Sequence, residues 1–179
     1  MFHYMFLCNT LIPDPAIAAI MHAISCHSKQ WHTVELDIPL ICFEYLEGVK
    51  HRLPNLQRLI IDKRLWPGPQ LQPSSVDVFS VALQLWNVTI LGSTRHPPAI
   101  QLPTTTLTKL FVECACAQAC LAVLRQYPQV INCTFDGIVV GFGTSEVFVS
   151  QLTSLDIGVH NEYDENMSTI FNPLTLPAI

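Results

Sequence analysis

The sequence predicts an α/β solenoid: six short parallel strands on one side, helices and loops on the other. Three observations predict it. A six-residue apolar motif recurs along the chain, helix-period apolar stripes lie between its copies, and the prolines stay outside it. The motif is one apolar residue, two variable, one apolar, one variable, one apolar. It reads Trp31-x-x-Val34-x-Leu36, Leu56-x-x-Leu59-x-Ile61, Leu85-x-x-Val88-x-Ile90, Leu107-x-x-Leu110-x-Val112, Val130-x-x-Cys133-x-Phe135 and Leu152-x-x-Leu155-x-Ile157. Successive starts are 25, 29, 22, 23 and 22 residues apart. Within each copy the last two apolar positions are two apart and share one face of a strand. The first anchors the chain as it enters the strand.

Each element follows in order. Residues 1–30 form an N-terminal segment whose Ile17, Ile20, Met21 and Ile24 fall at helical spacing, predicting a helix over 16–27 that caps the first strand. After strand 31–36 a second helix is expected over 40–51. Strand 56–61 precedes a proline-marked loop at 66–73 and a short turn from Ser75 to Ala82. Strand 85–90 is followed by a second long loop, 93–103, and strand 107–112. Cys116, Cys120, Val123 and Leu124 make the stripe of a helix over 116–126, ended by Tyr127-Pro128. Strands 130–135 and 152–157 follow. Met167, Ile170, Phe171 and Leu174 predict a last helix over 164–172, with Asp164 and Glu165 suited to its N-terminus. Leu176-Pro-Ala-Ile179 copies Leu53-Pro-Asn-Leu56, so a seventh motif begins at Ile179. The edge of the sixth strand is then uncovered. The expectation is that the array continues beyond 179 or that the chain self-associates through this C-terminal end.

Motif and period are those of a leucine-rich repeat, whose units run to roughly 20–29 residues. The repeat domain is placed at 31–179. Its segments between strands must return over the back, because parallel neighbours need a crossover.

Composition bounds the function. Half of the residues are hydrophobic and 13% charged, so the chain can bury a large core and is not disordered. A net charge of -5 argues against nucleic acid as partner. One basic stretch stands out: Lys50, Arg52, Arg58, Lys63 and Arg64, read as helix-end and loop charges rather than a nucleic-acid patch. The longest uncharged run, Val78 to Thr94, carries too many polar residues to span a membrane, and the apolar start lacks the flanks of a signal peptide. Seven cysteines in apolar surroundings read as free thiols of a reducing compartment, which with the absence of a leader places the chain in cytoplasm or nucleus. Sequons at Asn87 and Asn132 fall in predicted strands, a poor place for glycans; a third lies at Asn166.

No motif carries catalysis, so neither an enzyme nor a cofactor is expected. Cys114, Cys116, Cys120 and Cys133 lack the paired spacing of a zinc site, and Cys116 and Cys120 belong to a helix stripe. The seven histidines show no ligand spacing, and Gly141-Phe142-Gly143 is only a fragment of a phosphate loop. Glu162, Asp164 and Glu165 lack the alternating oxygen ligands of a calcium loop. The alternative function is a small α/β hydrolase or redox enzyme, which would show longer strands and a nucleophile or phosphate loop instead of six short units.

Several phrases, "HSKQWHTVELDIPL", "LPNLQRLIID", "LTKLFVE", "CLAVLRQYPQVINCTF", "LTSLDI" and the closing "LTLPAI", resemble the leucine-rich-repeat region of fungal F-box proteins from mushroom-forming species. The resemblance covers residues 16–179. It implies repeats that hold a substrate for a cullin-type ubiquitin ligase, whose adaptor docks on an F-box. "LIPDPAIAAIM", Leu11 to Met21, only echoes the start of an F-box, and the first repeat follows too soon for three helices. Adaptor binding is therefore expected only if an F-box lies upstream.

The variable positions inside the motif give the candidate site. Thr33 and Glu35, Arg58 and Ile60, Asn87 and Thr89, Lys109 and Phe111, Asn132 and Thr134, and Ser154 and Asp156 are expected to face outward on the concave side. Six strands ~4.8 Å apart give a surface about 24 Å across, the scale of a protein ligand. Within it Arg58, Ile60, Asn87, Thr89, Lys109 and Phe111 are the candidate partner-binding residues, with Ile60 and Phe111 as apolar anchors beside cations.

Overall fold

A computed structural model describes residues 2–7, 15–38, 40–62, 76–94, 100–114, 116–138, 147–148, 151–159 and 174–175. The chain is an α/β protein built on one open, all-parallel sheet. Its strands are β1 (Phe2–Leu7), β2 (Trp31–Asp37), β3 (Arg58–Asp62), β4 (Asn87–Thr94), β5 (Lys109–Cys114), β6 (Asn132–Ile138) and β8 (Ser154–Val159). They lie side by side in chain order, every neighbouring pair parallel. A separate two-stranded pair joins β7 (Val147–Phe148) to β9 (Leu174–Thr175).

All six predicted motifs form strands of this sheet, paired in the predicted sequence. Among the described residues the sheet has seven strands, however, not six. The additional one is β1, which pairs with β2 from the N-terminal side. Phe-His-Tyr-Met-Phe-Leu is aromatic-rich and suits a strand; its Tyr4 and Phe6 pair with the inward Val34 and Leu36 of β2, and the motif spacing extends to it in sequence as Met1-x-x-Tyr4-x-Phe6.

The motif's apolar positions build the core. The entering anchors Trp31, Leu56, Leu85, Leu107, Val130 and Leu152 are all buried, and so are the inward pairs of β2 to β6, from Val34 and Leu36 to Cys133 and Phe135. Leu155 and Ile157 of β8 are only partly buried. Leu155 was expected inside with Leu59 and Leu110. No described strand pairs with the far side of β8, so the packing that covers Leu59 and Leu110 from both sides reaches Leu155 from one.

Two α-helices form where expected, α1 (Pro15–Ser25) and α2 (Ala117–Gln126). In α1 the stripe is narrower than its sequence: Met21 is buried and Ile17 and Ile24 partly so, whereas Ile20 is 52% exposed. In α2 Cys120, Val123 and Leu124 are buried as the stripe requires. The segment read as an α-helix over 40–51 is instead a 3-10 helix, Leu40–Val49. Its buried Phe43, Leu46 and Val49 repeat every three residues. That is the period of a 3-10 turn, in which i and i+3 eclipse; buried Cys42 with Leu46 and Val49 also fits the spacing of an α-helix, so this segment carries both periods. Phe43 meets Phe79 of the 76–82 turn edge to face, ring centroids 6.3 Å apart. The predicted helix 164–172 lies outside the described residues, but Leu174, the end of its stripe, is in β9.

Polar contacts tie each unit to the next at one repeat's distance along the chain. Arg52 Nη2 donates to the Cys26 carbonyl (3.2 Å), Asn55 Nδ2 to that of Lys29 (2.8 Å), Thr106 Oγ1 to that of Leu85 (3.0 Å) and Thr153 Oγ1 to that of Ile131 (3.2 Å). Lys50 pairs with Asp77 across the same kind of step. Arg52 and Lys50 of the basic stretch are thus structural, Arg58 belongs to the sheet's open face, and Lys63 and Arg64 lie outside the described residues.

Tyr127, just past α2, buries its ring and donates its hydroxyl to the Ile100 carbonyl at 2.9 Å. Burial pushes its pKa up to about 12, and a backbone hydrogen bond at Leu102 opposes the rise without cancelling it. The unfolded side chain titrates near 10. The folded state therefore favours the neutral phenol, a contribution fully present below about pH 10 and lost as pH rises toward 12. Tyr127→Phe is expected to lower stability at neutral pH by about 0.5–1.5 kcal/mol, the usual net worth of one hydrogen bond. It should also flatten the alkaline loss of stability between those pH values. Urea melts of both proteins from neutral pH to pH 11 check it; parallel alkaline limbs would show that Tyr127 does not titrate with unfolding.

Candidate binding face

The outward residues of neighbouring strands stand in register, because the strand starts repeat one hydrogen-bond pattern. The Gln57 carbonyl accepts from the N–H groups of Trp86 and Asn87, both at 3.2 Å. The Trp86 carbonyl accepts from Thr108 (3.1 Å) and Lys109 (2.8 Å), that of Thr108 from Ile131 and Asn132 (both 2.9 Å), and that of Ile131 from Thr153 (2.9 Å) and Ser154 (3.1 Å). Four repeats of one arrangement leave no room for a slip, which would turn every apolar side chain outward.

Two rows of side chains result. The first runs Thr33, Arg58, Asn87, Lys109, Asn132, Ser154, and the second Glu35, Ile60, Thr89, Phe111, Thr134, Asp156. The six candidate residues therefore form one contiguous patch over β3, β4 and β5. Arg58 and Lys109 are exposed; Ile60, Asn87, Thr89 and Phe111 are half-buried by their neighbours. Thr33 departs from the expectation. It is 6% exposed, so the open face is drawn on β3 to β8 rather than on β2.

Two features escaped the sequence reading. Trp86 is 45% exposed at the start of β4, one residue before Asn87. Its signal was an aromatic residue at a variable motif position. The other is a third row, one step past the motif's end. Asp37, Asp62, Glu113 and Asp136 directly follow Leu36, Ile61, Val112 and Phe135, with Leu91 and Gly158 at the same position on β4 and β8. An acid after the last apolar residue in four of six motifs was the signal, and a six-residue template stops short of it.

Glycines shape this end of the strands. Gly92 and Gly137 have φ of 94° and 79°, where β4 and β6 shift register against their neighbours. A side chain would be strained there. The Gly92 N–H donates to Glu113 Oε2 at 2.8 Å, and the Gly137 N–H to Asp136 Oδ1 at 2.9 Å. A Cβ on Gly158 would stand 2.3 Å from Asp136 Oδ1, so the bare glycine makes space for that carboxylate.

No protein-family model, curated protein or solved structure matches the chain. The chemistry of the face must speak for itself. Among the described residues no three His, Cys, Asp or Glu side chains come together to hold a metal ion. Cys120 and Cys133 are buried, one on α2, where the Cys120 thiol donates to the Cys116 carbonyl at 3.4 Å, and one on β6. Gly141 to Gly143, Glu162, Asp164 and Glu165 lie outside the described residues. No helix among those described is long and apolar enough to cross a membrane. The outward rows are mixed, with apolar side chains set among charged and polar ones.

Proposed function

We propose that this chain is a non-catalytic protein-binding module, a leucine-rich-repeat solenoid that uses the open face of its sheet. The observation that carries the reading is the register that sets Arg58, Ile60, Asn87, Thr89, Lys109 and Phe111 side by side on three adjacent strands. Half-buried apolar side chains flanked by exposed cations are the composition of an interface anchor rather than of a metabolite pocket, which is concave and mostly apolar. The solenoid reading is supported by strands that follow one another in chain order and by inter-unit hydrogen bonds spaced one repeat apart. Doubly wound enzymes bind ligands where strand order reverses, and the described sheet has no reversal. The resemblance to fungal F-box proteins extends the proposal: the bound protein is a substrate presented for ubiquitination, with an F-box preceding Met1 needed for adaptor docking.

A photo-crosslinking amino acid placed at position 111, compared with one at exposed Arg125 on α2, tests the face. Discrete protein adducts from position 111, lost when Ile60→Asp is added, are the expected result. Equal adduct patterns from both positions, or none from position 111, would count against it.

A further inference from the structure

Resting on that reading, the geometry points to a partner of definite form: we infer that the face receives an amphipathic α-helix lying across the strands, with one acidic and one basic flank. β3 and β5 carry the same triplet in the same order along their strands, in register through β4 at the first two positions and with the β4 bulge beside the third. Arg58, Ile60 and Asp62 on one match Lys109, Phe111 and Glu113 on the other, cation then apolar then anion. β4 between them is uncharged at all three positions, with Asn87, Thr89 and Leu91. Alternation puts each triplet on the open face, and its burial agrees: Leu59, Ile61, Leu110 and Val112 between them are all buried.

The dimensions select a helix. Four residues along a strand separate the cations from the carboxylates by ~13 Å, against an α-helix diameter of ~10–12 Å. A helix seated on Ile60 and Phe111 would therefore lie between the charged rows, one flank against each. The triplets are two strands apart, ~10 Å, which is close to the ~10.5 Å rise of seven helical residues. A heptad-spaced apolar ridge meets both anchors, and acids and bases at the same spacing meet Arg58 with Lys109 and Asp62 with Glu113. The Gly92 N–H bond on Glu113 holds one of those carboxylates in place. Complementary charge of this kind sets register and direction: reversing the helix would put each flank against its own sign.

The test uses the full chain and two helix-forming peptides of about 18 residues, long enough for appreciable helicity. Both have the same composition and apolar ridge. In the matched peptide all acids lie on one flank and all bases on the other; in the crossed peptide they are exchanged at the second heptad. Fluorescence anisotropy should show the matched peptide binding at least about tenfold tighter at low salt, with the preference fading as salt screens the charges. Arg58→Gln with Asp62→Asn, which remove both charges of one triplet and keep polar side chains in their place, should remove the preference while leaving ridge-driven binding. Equal affinities, both weakened by Phe111→Asp, would overturn the helix inference and leave the binding face standing. Indifference of both peptides to Phe111→Asp would overturn the face itself. No measurable binding of the matched peptide overturns the inference too.

Discussion

Leu110→Ala is expected to lower the free energy of unfolding by about 2–5 kcal/mol, from lost burial plus the cavity left behind. Leu110 sits on β5 with Val88 of β4 and Cys133 of β6 as register partners, and all three are buried. Leu59→Ala, with buried Val34 and Val88 as its register partners, should cost a similar amount. Leu155→Ala should cost clearly less, since Leu155 is only partly buried at the outer strand. Exposed Arg58 and Lys109, one residue from those leucines, should change stability by no more than about 0.5 kcal/mol when truncated to Ala. Denaturant melts of the five variants decide it. Losses at Arg58 and Lys109 comparable to those at Leu59 and Leu110 would mean that inside and outside of the sheet are exchanged.

Phe79→Ala is expected to cost about 3–5 kcal/mol, and Phe43→Ala as much. Both rings are buried, one in the 76–82 turn and the other in the 3-10 helix. Their edge-to-face contact places the positive rim of one ring on the negative face of the other, worth about 0.5–1.5 kcal/mol beyond burial. The contact joins two successive crossover segments, the layer through which one unit leans on the next. The double variant should therefore lose less than the sum of the singles, by about that coupling or more. A thermodynamic cycle on the four proteins measures it. Strict additivity would show that the two segments are stabilised independently and that the units are not coupled there.

Much of this architecture is legible because its physics is local. Val88 and Ile90 alternate with Asn87 and Thr89, so the strand and its buried face follow from period two alone. The stripe of Cys120, Val123 and Leu124 specifies α2 in the same way. Where two periods compete, sequence is a weaker guide. Phe43, Leu46 and Val49 admit a 3.0 reading once their burial is known, but Leu40 to Arg52 also reads as an ordinary helix. Ile20 satisfies the α1 stripe and is nevertheless exposed, because what covers a helix face belongs to other parts of the chain.

The candidate site shows the same division. Arg58, Ile60, Lys109 and Phe111 were identifiable as outward residues from the motif, since alternation assigns each side chain a face before any partner strand is known. Their adjacency is tertiary: Ile60 and Phe111 lie 51 positions apart in sequence, a span of two repeats, and only the parallel register brings them within two strands of each other. The acidic third row needed the structure for a different reason. Asp62 and Glu113 lie past the last apolar position, where strand continuation depends on the neighbour's hydrogen bonds and on the bulges that Gly92 and Gly137 permit.

By itself the sequence determined the α/β class, the six repeated strands and the alternation that gives the residues of β3 to β6 their faces, because apolar periodicity acts over a few residues. Tertiary structure alone decided three things: the pairing of Phe2–Leu7 alongside β2, the 3-10 form of Leu40–Val49, and the partial exposure of Leu155 and Trp86. Each depends on which surfaces meet, and burial is a property of the pair in contact rather than of either segment.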